Sequence, residues 1–359
     1  MRVALCGLFG LFCLSAFAMP QAEHPGEVHV PPSTSREGVR ISLNPSGPVP
    51  KSPEAAKILG DLVAANGMDM QPQVPWHVEV SYDEFDEDGD NVHSGTIEEF
   101  YVSPKKYRKI IKTDEFSQVE VANGTDLYRA GDQNWPSQTT LQAMREILSP
   151  LYDVSELSDF SPDKLDWTIG KTTLPCIALR NGRILSPNGL PKFCFEPGTT
   201  LLRYTRGQGW NETVYNSIIQ FKGRYIGRDV EVMHASKPFL KIHLAKVESL
   251  QQPDGSLFLP PAGSPGPLTG IVTVPSGMLR RDPGQQWQFP RNIPRGLHGK
   301  VSVRFAVDKE GRVTGAHAID GPEELRKPVE DEVKRIRFHP FLILDRPVEV
   351  ESTTVYMFQ

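Results

Sequence analysis

The chain of 359 residues lacks most signatures of an enzyme. It has no HExxH and no Gly-x-Ser-x-Gly, and its nine histidines are scattered, so neither a zinc-protease helix nor a nucleophile elbow is written in it. Gly170-Lys171-Thr172 ends like a phosphate-binding loop, but Leu165 stands where that loop needs its first glycine. Basic excess is also missing. With 44 acidic against 39 basic residues and a net charge of -5, nothing indicates a nucleic-acid partner. An apolar run long enough to span a bilayer, about 20 residues, is absent. The longest is the uncharged stretch from Val3 to Ala18, which follows Arg2 and ends in the small-x-small sequence Ala16-Phe17-Ala18. It reads as a signal peptide over residues 1–18, with an uncleaved inner-membrane anchor as the alternative.

Cysteine is scarce. Of four, Cys6 and Cys13 lie in that leader, leaving Cys176 and Cys194 in the exported chain. An even pair in an oxidising compartment suggests a disulfide stapling two neighbouring strands, which contributes about 3 kcal/mol in the chain-entropy model.

Residues 85–91, FDEDGDN, carry four carboxylates around Gly89. Aligned on an EF-hand loop, Glu84, Asp86 and Asp88 take the first ligand positions, but Gly95 falls where the closing glutamate belongs. Trp76, Val78, Val80 and Tyr82 alternate before it, so the expectation is an acidic hairpin tip, with weak calcium association incidental. No metal, cofactor or catalytic residue is expected, and the chain reads as a non-enzyme.

Pro, Gly and Ser cluster twice and divide the chain. Residues 19–50 read as a disordered tether and residues 251–287 as a Pro/Gly-rich linker. Between them, residues 51–250 open with a helix capped by Ser52, started by Pro53 and stopped by Asn66-Gly67, with Ala55, Ile58, Leu59, Leu62 and Val63 on one face. A meander follows, turning at Asn123-Gly124. A second helix carries Leu141, Met144, Ile147 and Leu148, and further strands run to about residue 245. The class is α+β, a central antiparallel half-barrel sheet with helices. The phrases GTIEEFYVSPKKYRKII, VANGTDLYRAG and FCFEPGTTLLRY resemble strands of the LolA and LppX lipoprotein carriers, a resemblance that implies a cavity for acyl chains.

The last segment, residues 288–359, is a small β-β-α-β unit. GKVSVRFAV and RVTGAHAI form a hairpin, Leu325, Val329, Val333 and Ile336 share a helical face, and a final strand runs from Val348 to Phe358. With PRNIP ahead of the hairpin, RIRFHP after the helix and DRPVEVESTTVYMF at the end, it closely resembles the TonB C-terminal domain. Ile336 stands where that family usually has tryptophan. Pro328 stands where it prefers alanine, and is expected to start or kink the helix.

The resemblance implies recognition: a TonB-box-like peptide of an outer-membrane receptor or another envelope protein would add as a strand to the last edge. The residues implied are Val348, Glu349, Val350, Glu351, Ser352, Thr353, Thr354, Val355 and Tyr356. The implied function is that of a periplasmic or secreted TonB-like binding protein linked to TonB-dependent transport. The alternative is a lipid or lipoprotein carrier whose central unit holds an acyl chain, with the C-terminal unit for docking. Cleavage after Ala18 would leave no membrane helix through which to transmit force.

Overall fold

The computed structural model describes residues 52–68, 74–151, 160–181, 187–207, 211–282 and 298–358. The expected signal peptide, the tether and PRNIP lie outside the described residues.

Helix α1 spans Pro53–Ala65. The Ser52 hydroxyl accepts from the Ala55 N–H at 3.2 Å, satisfying one of the helix's orphan donors. Ala55, Leu59 and Leu62 are buried, while Val63 is left exposed. At the other end the Asn66 side-chain amide donates to Leu62 O and Thr200 O, and its carbonyl accepts from the Leu202 N–H. One residue thus ties the helix exit to the sheet.

Five strands follow in a meander: β1 Trp76–Phe85, β2 Asn91–Ser103, β3 Lys106–Thr113, β4 Ser117–Asn123 and β5 Asp126–Gly131. After α2, Gln138–Leu148, come β6 Ser161–Ile169, β7 Thr172–Arg180, β8 Lys192–Phe195, β9 Leu202–Arg206 and β10 Asn211–Asn216. A short hairpin of β11 Ile219–Phe221 and β12 Arg224–Ile226 precedes β13 Asp229–His234 and β14 Lys237–Ser249.

All but the short hairpin join one sheet of 12 strands in the order β5-β4-β3-β2-β1-β14-β13-β10-β9-β8-β7-β6. The sheet is open, with β5 and β6 at its edges. Alternation decides its faces. Trp76, Val78, Val80 and Tyr82 are buried in one cluster with residues of α1 and α2, and each such apolar side chain contributes about 1.5–3 kcal/mol. Helix α2 is also held by buried polar contacts, Tyr82 to Thr140 at 2.6 Å and Tyr215 to Glu146 at 2.7 Å.

The acidic stretch is the β1–β2 tip. Asp86 Oδ1 accepts the N–H groups of Asp88, Gly89 and Asp90 within 3.0 Å, and Gly89 supplies the positive φ the turn needs. Cys176 and Cys194 face each other across β7 and β8 and are disulfide-bonded.

The Pro/Gly-rich segment departs from expectation. Its described part, residues 251–282, is a packed strap. Phe258 is buried and lies under the Lys106 amine, and the Leu268 N–H donates to Leu127 O at 2.6 Å on the edge strand β5. Residues Val272–Thr273 then form β15. Composition pointed to a linker because proline and glycine dominate it, but Phe258, Val272, Val274 and Leu279, spaced among them, are buried.

Strands β16 Gly299–Val307 and β17 Val313–Asp320 form the expected hairpin. Helix α3 Glu323–Val333, the short β18 Leu342–Ile343 and β19 Arg346–Pro347, and β20 Val350–Phe358 complete the unit. Its sheet order is β15-β20-β16-β17. One helix expectation is corrected: the helix ends at Val333, so Ile336 is buried from the segment beyond. Of the two places expected for Pro328, the start and the interior, the structure has the interior.

The two units share a core. Ala122 and Leu127 of the central sheet belong to the cluster of Val301, Phe305, Leu325 and Val350, and Trp135 meets Phe341 edge-on with centroids 6.0 Å apart. Lys105 pairs with Asp345 at 2.8 Å, and Arg346 donates to Thr125 O.

Candidate partner-strand site

The last strand has different neighbours on its two sides. Against β16 it pairs antiparallel along its whole length, from Val350 opposite Val307 to Phe358 opposite Gly299. On the other side it meets β15, parallel, only at Val350 and Glu351. The Val272 N–H donates to Glu349 O at 3.0 Å and the Val274 N–H to Glu351 O at 2.9 Å. The Ser352 hydroxyl donates to Val274 O at 2.8 Å.

This placement divides the nine residues expected to line the edge. Val348 lies before the strand, half-buried, with its N–H donating to Phe341 O, and exposed Glu349 offers its carbonyl to Val272. Val350 and Ser352 are buried, and Glu351 is half-buried with its carbonyl accepting from the Val274 N–H. A continuous free edge from Val348 is therefore corrected, because the chain's own strap covers its first part. Thr353, Thr354, Val355 and Tyr356 lie beyond the strap, and there no described strand pairs with β20 on that side.

By the period of two along a strand, the backbone groups of Thr353, Val355 and Met357 point to the side where Glu349 and Glu351 accept from β15. They form the open run. Val355 and Met357 are exposed apolar side chains on the face away from α3, whereas Tyr356 and Phe358 turn inward. Burial pushes the Tyr356 phenol above its ordinary range, opposed by Arg281.

Local geometry holds the strand in place. The β16–β17 turn is organised by Asp308 Oδ1, which accepts from the Glu310 and Arg312 N–H groups. Gly311, at φ +82°, brings its carbonyl within 2.8 Å of the Phe338 N–H, and a Cβ there would lie 1.9 Å from Phe338 O. On the helix side, Glu330 accepts from the Ala318 N–H and fixes α3 to β17.

The edge residues expected from sequence did not include Val272, Val274 and Met357. The signal for the first two was present, since the run Ile271-Val272-Thr273-Val274 is β-branched throughout.

The C-terminal unit is thus a four-stranded sheet with one helix and a partly covered final edge. Residues 286–359 match the family described as Gram-negative bacterial TonB protein C-terminal. No curated protein matches the chain. Among solved structures, the chain is similar to a LolA superfamily protein from Nitrosomonas europaea, with 13% identity, 57% of this chain and 96% of that one covered, and a TM-score of 0.37. A putative outer membrane lipoprotein-sorting protein domain from Vibrio parahaemolyticus matches at 7% identity, with 57% and 95% covered and a TM-score of 0.35. MucB in complex with MucA(peri) matches at 11% identity, with 80% and 99% covered and a TM-score of 0.27. No helix among the described residues is long and apolar enough to cross a membrane.

Proposed function

We propose that this chain is a TonB-like binding protein of the cell envelope, whose C-terminal unit takes up an extended segment of a partner protein by strand addition. The observation that carries this reading is the unequal covering of β20, whose outward backbone groups are paired at Glu349 and Glu351 and, among the described residues, meet no strand from Thr353 to Met357. Unpaired main-chain groups supply affinity, and alternating pockets supply selectivity. Exposed Val355 and Met357 suit a partner with apolar side chains on the solvent face. The matched family supports an outer-membrane receptor's TonB-box segment as that partner.

The central unit then acts as the scaffold that carries the strap and the docked C-terminal unit. On the sheet face where a carrier would hold an acyl chain, Leu59, Leu62, Met144 and Ile147 of the two helices pack against Val78, Val80 and Ile242. Amide hydrogen exchange with a synthetic TonB-box peptide tests the reading. Protection gained by Thr353, Val355 and Met357 supports it, and an unchanged β20 together with a stoichiometric lipid found by native mass spectrometry favours the carrier.

A further inference from the structure

Three neighbouring strands bring five ionisable side chains together on the face of the central sheet opposite the helices. His77 on β1 lies across from Glu248 on β14 and Phe100 on β2, and Glu79, two residues along, lies across from Glu98. The imidazole stacks on Phe100 with centroids 4.0 Å apart and is 5% exposed. Its Nδ1 is 2.9 Å from Glu248 Oε1, and its Nε2 is 3.0 Å from Glu98 Oε1 and 3.7 Å from Glu79 Oε1. The Lys246 amine lies 2.9 Å from Glu248 and 3.6 Å from Glu79.

A neutral imidazole has one N–H and one lone pair, and ionised carboxylates only accept. With its proton on Nδ1 the buried ring satisfies Glu248, which leaves the Nε2 lone pair facing two more carboxylates that are partly exposed. A positive species between them, either a second ring proton or a cation, relieves this repulsion. Charge favours the cation. Three carboxylates against Lys246 leave two negative charges around a neutral ring, so a divalent ion balances the group, whereas a proton leaves one charge over.

Distances agree. Ligand atoms around a tetrahedral zinc with bonds of about 2.0–2.2 Å sit roughly 3.3–3.5 Å apart, and the 3.0 and 3.7 Å separations bracket that edge. The ligand atoms of His77, Glu79 and Glu98 all lie within 4.8 Å of one another. Glu248 holds the other ring nitrogen as the outer carboxylate of a metal-bound histidine does.

The geometry points to a divalent-cation site, zinc by ligand type, formed by His77 Nε2, Glu79 and Glu98, with Glu248 positioning the ring. Glu79 and Glu98 are partly exposed, so the ion enters from solvent and water fills the fourth position.

The test is competition for zinc between the full-length chain, first stripped with a chelator, and a chromophoric chelator. One equivalent should bind. Glu79→Gln and Glu98→Gln, at partly exposed positions, should each weaken binding at least tenfold with circular dichroism unchanged, and Glu248→Gln about 10–100-fold. Nitrogen-15 spectra of the ring should show Nε2 unprotonated and shifting on zinc addition. No bound equivalent, an unchanged affinity in the Glu79→Gln/Glu98→Gln double variant, or a doubly protonated ring indifferent to zinc would overturn the site.

Discussion

The Val274 N–H donates to the Glu351 carbonyl at 2.9 Å, so a segment distant in sequence is already a strand on the edge offered to a partner. Val272 and Val274 are both buried in the C-terminal core. The strap therefore sets where an incoming segment starts, just beyond Ser352.

Loosening the strap should extend the open edge. Val272→Ala and Val274→Ala each remove two buried methyl groups, a loss of about 1.5 kcal/mol apiece. In the double variant, amide exchange at Val272 and Val274 should accelerate and limited proteolysis should cut near residue 270, while the β16–β17 amides stay protected.

Gly311 occupies a conformation only glycine adopts freely, pressed against the Phe338 carbonyl. Gly311→Ala should destabilise the C-terminal unit by about 1–3 kcal/mol, read as a lower urea midpoint.

The disulfide joins adjacent strands across a sequence separation of 18. Reduction, or a Cys176→Ala/Cys194→Ala double variant, should lower stability by about 3 kcal/mol, seen as a fall in Tm, with strand content retained.

Lys192 is fully buried, with its amine 3.2 Å from the Trp167 ring centroid. Burial, reinforced by Arg206 and opposed by Glu212, holds its pKa down to about 7 from 10.5. Between those values the unfolded chain binds the extra proton, so this group makes stability rise with pH from about 7 towards 10.5, while its full penalty is present below 7. Urea unfolding at pH 6 and pH 9 should show that rise, and Lys192→Met should flatten it.

Local features were the legible ones. Ser52, Asn66-Gly67 and Asn123-Gly124 marked element ends because caps and turns act over a few residues, and the alternation from Trp76 to Tyr82 marked the buried face of β1. The β16–β17 hairpin and the final strand could be read from alternation, and the C-terminal family from the phrases around them. Pairings between distant segments were not legible. The contact of Val272 with Glu349 spans the whole C-terminal unit, and proline-rich composition hid it. His77, Glu79, Glu98 and Glu248 meet only through the β14-β1-β2 register, and nothing in their spacing announces them. The burial of Ala122 and Leu127 against the C-terminal unit likewise depends on docking rather than on local pattern.

The most direct measurement compares two proline variants of β20 for binding a fluorescent TonB-box peptide. Val355→Pro removes an N–H that points to the open side, where a strand tolerates proline, and Thr354→Pro removes one that points to β16. Strand addition predicts that Val355→Pro keeps a near-native Tm and loses peptide binding measured by anisotropy, while Thr354→Pro lowers Tm by disrupting the β16 ladder. A folded Val355→Pro variant that binds the peptide as tightly as the unsubstituted chain would contradict the account.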